Sequence, residues 1–580
     1  MNTSGKILLV LNILFIVTIL SAEANTNDTI WANYAEYHID DYLDMVVCNT
    51  DIEPYADLSN NTSLHIQLES NDLYQFKTIP SGLKTGISYI ITGNNKTYAL
   101  YFTDLPLIHI NTEYYIGDEP KVPARFIISD GNNDIFSSFI GIERRGGISQ
   151  GYPKKSYDLE LWKDSLGLDT LRRSLLSMRN DDDWLLIAMY NEPMRLRNAI
   201  SHELWLKIHT LYYHESEPDA VPGIHTEYVE LFLNDEYNGI YLLTEQVDRK
   251  QLKLKKYIIE TSTIRGLLNK GIYWGDAVTY DGAPGFSNSN RVWSGFEMKY
   301  PKEEEITDWT DLYNFVNLVV NGSESDFLSN IVNMFNIDNA VDYFLYLNIL
   351  RGTDNRGKNI YVSRYDEDEP FVNIPWDLDG TWGMLWNGSR QDITDDIKTN
   401  GMYERLMNLD NDFFNLLLRS RWNSLRENEF HEQTLMEMFE EKYSILHING
   451  VYKREELKWG ASTLDLQNIF YLNTWLTERL AFLDDYFPPI INSINDGNAN
   501  TENLYLLYPN PVDDYINIRK QNPHQVYFEI FNILGLRIKT GFLTDNETRL
   551  TLNDMSSGTY ILKISDRKQN SIRTFRIIKK

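Results

Sequence analysis

Alternating apolar and polar positions fill the first half of the chain, and stripes with a period near 3.6 fill much of the second. Between Asn25 and about Leu105, short alternating runs (Ser63–Glu69, Tyr74–Ile79, Gly86–Gly93, Thr97–Phe102) are separated by Asn60-Asn61 and Asn94-Asn95 turns, which predicts a small β-rich module. From Leu107 further strands are expected at Leu107–Ile110, Val122–Ser129, Phe139–Glu143, Pro153–Trp162, Thr226–Leu233 and Tyr241–Thr244. A helix opened by Pro193 is predicted over Met194–His209, with Ile200, Leu204 and Ile208 on its apolar stripe and Glu203 beside it. After Pro301 the period lengthens: helices are expected at Trp309–Asn321, Ser323–Phe335 and Asp338–Leu350, the last capped by Asp338. A hairpin pattern follows (Asn359 to Trp376), then helices continue from Met402 through about Phe487, including Phe413–Asn428, Glu432–Ile445 and Leu464–Asp485. Pro488-Pro489 and the polar run Ser493–Asn503 read as a linker, and strands from about Leu504 to Lys580 predict a six- or seven-stranded sandwich.

Composition narrows the function more than the fold. With 54 basic and 83 acidic residues the net charge is −29, which repels phosphate backbones and anionic lipid, so nucleic acid is not an expected partner. A single cysteine, Cys48, excludes an intramolecular disulfide and any multi-cysteine zinc site. Met1–Ala24 joins a lysine, an apolar run from Ile7 to Leu20 too short for a comfortable span, and the small residues Ser21-Ala22; it reads as a cleaved signal peptide, leaving no transmembrane segment in the mature chain. The length of 580 residues has room for three or four domains: 1–24 signal peptide, 25–105 β-rich module, 106–490 central domain, 491–503 linker and 504–580 sandwich.

Three places carry candidate chemistry. Leu347–Gly383 holds Asp354, then Asn359 five positions on, then Trp376-Asp377-Leu378-Asp379-Gly380 closing the hairpin. A carboxylate and an amide on one loop, with a further carboxylate at the end of a hairpin, suit a divalent metal and a hydroxyl nucleophile; a plain turn joining a helix to a hairpin is the alternative. Arg144–Tyr152 is a glycine-rich loop in which backbone N–H groups, Arg145 and Ser149 suit a phosphate. Strand alternation puts Lys155 on the apolar face with Tyr157, Leu159 and Leu161, and Lys154 on the other. His209 and His214, five apart, do not align as ligands on a helix.

Two family likenesses arise from these residues. The tail resembles the type A sorting domain of type IX secretion in Bacteroidota, through Tyr508-Pro509-Asn510-Pro511, Ile530 to Gly535, Leu552-Asn553-Asp554-Met555 and Ser557 to Leu562. The segment from about Leu107 to Pro488 resembles the CotH (spore-coat protein H) kinase family. The carriers are Arg145-Gly146, Tyr152-Pro153-Lys154-Lys155-Ser156-Tyr157, Met194-Arg195-Leu196-Arg197-Asn198, Gly239 to Glu245, Asp354 to Asn359 and Trp376-Asp377-Leu378-Asp379. The resemblance implies an α+β fold: a divergent two-lobed protein-kinase-like domain, with a β-rich N-lobe and a helical C-lobe, flanked by the N-terminal β module and the C-terminal sandwich.

It also implies roles. Lys155 would neutralise the phosphates of ATP, Arg145 and Ser149 would line the loop above them, and Glu203 would pair with Lys155. The backbone of Glu245 to Val247 would meet adenine. Asp354 would orient and deprotonate the acceptor hydroxyl, while Asn359 and Asp377, with Asp379 as a further ligand, would hold Mg²⁺ or Mn²⁺. The activity implied is that of a secreted or cell-surface atypical kinase acting on Ser/Thr of an exported protein substrate, delivered by the type IX secretion machinery. Gly352-Thr353 before Asp354, Asp377-Leu378-Asp379-Gly380 at the metal turn, and a glycine loop abutting the lysine strand depart from ordinary kinases. A catalytically inactive adhesin or scaffold is the alternative. A glycosidase using Asp377 and Asp379 is disfavoured, because acids two apart on a strand lie too close to straddle a sugar.

Overall fold

The structure is a computed structural model, and it describes residues 28–68, 72–132, 134–409, 413–460, 466–489, 505–520, 525–532, 536–566 and 571–580. The expected signal peptide (1–24) and linker (491–503) lie outside the described residues. The chain divides into two compact units, one formed by residues 1–199, 225–246 and 439–466, the other by 200–224, 247–438 and 467–580.

Alternation sets the first unit. Strands β1 (Thr29–Ala32), β2 (Tyr37–Asp40), β3 (Met45–Cys48), β4 (His65–Leu68), β5 (Leu73–Phe76), β6 (Ser88–Gly93) and β7 (Lys96–Phe102) form one sheet in the order β1-β4-β5-β6-β7-β3-β2. Next come β8 (Leu107–Asn111), β9 (Val122–Ser129), β10 (Ile135–Arg145), β11 (Ser156–Trp162), β12 (Asp183–Ile187), β13 (Thr226–Leu233) and β14 (Glu236–Thr244). They close into a barrel in the order β10-β11-β12-β14-β13-β8-β9, which is the form the expected β-rich part takes. Its interior is filled by Ile108, Phe126, Ile140, Leu159, Trp184, Leu231 and Leu243, among others. Met45, Val47 and Tyr101 of the sheet pack on Leu107, Phe232 and Tyr237 of the barrel. Within the stretch expected to be helical, the helix Val451–Trp459 lies against β14 and buries Val451, Tyr452, Arg454 and Glu455.

The helix expected from Met194 begins at Arg197 and runs to Ile208. The Glu192 carboxylate explains the shift, because it accepts from the backbone N–H groups of Met194 (3.0 Å), Leu196 (2.5 Å) and Arg197 (3.3 Å) and so holds the preceding turn out of the helix.

In the second unit, β15 (Leu267–Gly271), β16 (Val292–Trp293), β17 (Phe296–Tyr300), β18 (Ile360–Arg364) and β19 (Phe371–Pro375) make an antiparallel sheet in the order β16-β17-β15-β18-β19. Helices Thr310–Asn321, Glu324–Met334, Ile337–Leu350, Gly401–Leu409, Phe413–Arg426 and Leu466–Tyr486 belong here as well. The helix Ile337–Leu350 is buried at every position but Asp338. Its cap is not Asp338 as expected but Asn336, whose side chain accepts from the Asn339 N–H at 2.8 Å. The last residues, β20 (Tyr505–Tyr508), β21 (Tyr515–Lys520), β22 (Val526–Asn532), β23 (Arg537–Leu543), β24 (Glu547–Thr551), β25 (Gly558–Asp566) and β26 (Ser571–Lys579), form two sheets, β20-β21-β24 and β23-β22-β25-β26. Ile516, Phe528, Ile530, Leu562 and Ile577 fill the space between them. No helix among the described residues is long and apolar enough to cross a membrane.

The cap gives a direct check. Asn336→Ala should cost about 1 kcal/mol in urea unfolding, and Asn336→Asp should restore most of it; equal stability of all three chains would remove the cap assignment.

Candidate functional site

The hairpin β18–β19 sets the geometry of the candidate residues in the second unit. Ile360 pairs with Pro375, so Asn359 and Trp376 emerge from the same end of the hairpin, and the Trp376 N–H donates to the Asn359 carbonyl at 3.2 Å. The Asn359 N–H in turn donates to the carbonyl of Gly271 at the end of β15 (2.9 Å). A side chain at Gly271 would come within 2.5 Å of the Gly357 carbonyl, so only glycine permits this approach. Asp354 to Arg356 form a single 3₁₀ turn after the buried helix.

Asn355, buried within that turn, joins the two segments. Its amide donates to the carbonyls of Asn359 (3.0 Å) and Trp376 (2.7 Å), and its own carbonyl accepts from the Tyr343 hydroxyl (2.8 Å). Asp354, Asn359 and Asp377 are therefore carried on three tied pieces of backbone. Asn359 and Asp377 both take left-handed conformations (φ +55° and +53°), which Asn and Asp tolerate better than other non-glycine residues and which concentrate at functional sites. Asp377 is exposed and Asp379 half-buried. Lys358 lies 3.3 Å from the Asp354 carboxylate. An amide oxygen and carboxylates are hard donors that fit Mg²⁺ or Mn²⁺. Three acidic groups that approach within 4.8 Å occur elsewhere among the described residues, at Asp181-Asp182-Asp183, and not at Asp354, Asp377 and Asp379.

In the first unit the two lysines exchange the positions expected from alternation. Strand β11 starts only at Ser156, so the alternation that places Tyr157, Leu159 and Leu161 inward does not extend back to Lys155. Lys155 instead donates to the carbonyls of Gln150 (2.7 Å) and Tyr152, closing the glycine-rich loop on itself. Lys154 is the buried one, and it donates to the Ile240 carbonyl and to Glu455 (2.7 Å). The other Glu455 oxygen accepts from Arg195 at 3.0 Å. The acid that meets a buried lysine of this segment is thus Glu455, 301 residues away, while Glu203 pairs with Lys207 one turn along its helix.

Burial pushes Lys154 down to about 8, against the pull of Glu455 and with the Arg195 charge adding to the shift. Burial alone would raise the Glu455 carboxyl, but Lys154, Arg195 and the Ile240 N–H together hold it below the usual carboxylate range. A second buried pair, Arg454 with Glu230 (2.6 Å), uses the same helix.

Arg145 ends β10 opposite Ser156, and Ser149 sits in a short 3₁₀ turn, Ile148–Gly151. Gly146 has φ +101°, and a β-carbon there would fall 2.0 Å from the Ser149 hydroxyl. Glu245 is buried and accepts from the N–H groups of Arg179 and His225 (2.9 Å each) and from the His225 ring. The chain leaves the first unit after Gln246, so Val247 belongs to the second. His209 is held between Asp342 (2.9 Å) and Asn339 (3.0 Å) and stacks on Trp205, and His214 is exposed.

A family model described as CotH kinase protein matches residues 142–483, and one described as a secretion system C-terminal sorting domain matches 506–580. The chain is also similar to the inner spore coat protein H of Bacillus subtilis (strain 168), 24% identical over 339 residues that cover 56% of this chain and 81% of that protein.

Replacing Glu455 by Gln leaves Lys154 and Arg195 without their buried counter-charge, and should cost about 3–5 kcal/mol in urea unfolding. Because the folded carboxyl titrates below its ordinary value, its contribution is present above about pH 4.5 and is lost as pH falls through the folded value. The stability gap between parent and Glu455→Gln should therefore narrow on acidification; a constant gap would contradict the ion-pair assignment.

Proposed function

The chain belongs to the CotH kinase protein family, and we propose that it is a metal-dependent atypical protein kinase that transfers the ATP γ-phosphate to Ser or Thr of exported proteins. The observation that carries the reading is the Asn355 clip, which ties the turn bearing Asp354 to the segments bearing Asn359 and Asp377. Asp354 orients the acceptor hydroxyl and takes its proton, with the Lys358 ammonium 3.3 Å from its carboxylate. Asn359 and Asp377 are the ligand pair for Mg²⁺ or Mn²⁺, with Asp379 as the further donor. A divalent ion held there would neutralise charge on the phosphate oxygens, the effect on which phosphoryl transfer mainly depends.

For the nucleotide, the tightened loop closed by Lys155 offers its backbone N–H groups together with Arg145 and Ser149, and the backbone from Glu245 to Val247 is assigned to the adenine edge. Lys154 and Glu455 take the part of a buried ion pair that fixes β11 and β14, replacing the Glu203 pairing expected from sequence. The fold reading that goes with this is a divergent two-lobed kinase, its β-rich lobe built as a barrel. The sorting domain at 506–580 supports delivery by type IX secretion to the cell surface or the medium, which sets exported proteins as the substrate class.

The full chain incubated with γ-labelled ATP and a casein-type acceptor should transfer label only with Mg²⁺ or Mn²⁺ present. Asp377→Ala and Asp354→Asn should each lower the rate by at least about 100-fold. Undiminished transfer in Asp377→Ala would overturn the mechanism.

A further inference from the structure

Next to the Asp354 turn, positive charge accumulates beyond what its counter-ions need. Arg351, which ends the buried helix in a left-handed conformation, donates to both oxygens of Asp396 at 2.7 and 2.6 Å. That bidentate pair already satisfies the carboxylate. Yet Lys398 donates to the same Asp396 at 2.7 Å, and Arg479 lies 3.8 Å away. Three cations thus crowd one carboxylate in a chain whose net charge is −29.

The segment bearing Asp396 and Lys398 is fixed in place. Asn348 exchanges hydrogen bonds with the Lys398 backbone (2.7 and 3.0 Å), and Arg479 donates to the Thr394 and Asp396 carbonyls (2.8 and 2.6 Å). Asn400 donates to the Arg356 carbonyl at 2.8 Å and so joins this segment to the 3₁₀ turn that carries Asp354. Arg356 itself is exposed and has no carboxylate partner among the described residues. Its guanidinium sits 5.2 Å from the Trp274 ring centre, and Trp274 and Tyr273 are 42% and 47% exposed. Burial lowers the Lys398 ammonium below the usual lysine range; Asp396 opposes the shift, and the charges of Arg351 and Arg356 add to it.

We propose that Arg356 and Lys398, with the Tyr273–Trp274 shelf, form a binding face for an acidic stretch of the protein substrate; Arg351, buried and paired with both oxygens of Asp396, lies outside that face. Carboxylates from such a stretch would relieve the repulsion among cations that Asp396 leaves uncompensated, and an apolar neighbour would lie on the aromatic shelf stiffened by Arg356. Arg356 is two residues from Asp354 in the same turn, so acidic side chains held there would flank the acceptor hydroxyl. This assignment rests on the kinase reading for its biological meaning, but not for its measurement.

Fluorescence anisotropy of the full chain, without nucleotide, should be recorded with labelled peptides bearing a central Ser flanked by Asp and Glu, by Gly and Ala, or by Lys. The acidic peptide should bind at least tenfold tighter than the neutral one, and more weakly as salt is raised. Arg356→Glu, an exposed change that leaves the packing alone, should weaken the acidic peptide about tenfold; Lys398→Met should act in the same direction. Equal binding of acidic and neutral peptides, or unchanged affinity in Arg356→Glu, would overturn the proposal. Acidic binding without any label transfer would keep this inference and remove the kinase reading, whereas label transfer without acidic preference would do the reverse.

Discussion

Two hydrogen bonds from one buried amide hold the candidate chemistry together. Asn355 donates to the carbonyls of Asn359 and Trp376 at the end of the hairpin, the first of which also accepts from the Trp376 N–H. Each such bond contributes only about 1 kcal/mol to stability, but the geometric consequence is larger. The backbone on either side of the hairpin end is fixed, Asn359 and Asp377 are forced into left-handed turns, and Asp354 is set one residue from the clip. Tyr343, from the buried helix, secures the clip from beneath. The arrangement is preorganised before any ligand arrives, which is what positioning catalysis requires.

The first unit relies on a different device. Its barrel carries buried charges, Lys154 with Glu455 and Arg195, and Arg454 with Glu230, all at the helix Val451–Trp459. Such pairs add little net stability compared with apolar packing, but breaking one is costly, so they specify which helix sits against which strand. A helix more than two hundred residues along the chain is thereby locked to β14 through the Ile240 N–H and carbonyl. The surplus of cations around Asp396 in the second unit is the opposite case: there the charges are not closed among themselves.

Alternation was strong enough to fix the bounds of Val122–Ser129, Thr226–Leu233 and Tyr515–Lys520, and the order of strands in the C-terminal sandwich reached its upper expected number. Strand β3 is hidden because it is buried at every position and so shows no alternation, unlike the equally short β4 and β5. The burial in helix Val451–Trp459 is hidden because Lys453, Arg454, Glu455, Glu456 and Lys458 read as solvent-facing, although Arg454 and Glu455 are buried against partners distant in sequence. For the same reason Lys155 was preferred to Lys154: the face of a residue just outside a strand depends on a partner, Glu455, that no local pattern reveals. Spacing and resemblance make Asp354, Asn359 and Asp377 candidates, whereas Asn355, whose amide ties their segments, reads in sequence as an ordinary turn residue.

The central claim is that the clipped segments form a clamp for a divalent ion. Electron paramagnetic resonance of free Mn²⁺, titrated against the full chain with a non-hydrolysable ATP analogue, measures this without turnover. Relative to the parent, Asp377→Asn should weaken Mn²⁺ binding by at least about tenfold through the lost ligand charge, and Asn355→Ala should weaken it through lost positioning while the chain stays folded by circular dichroism. Equal Mn²⁺ affinity in the parent and both variants would contradict the account.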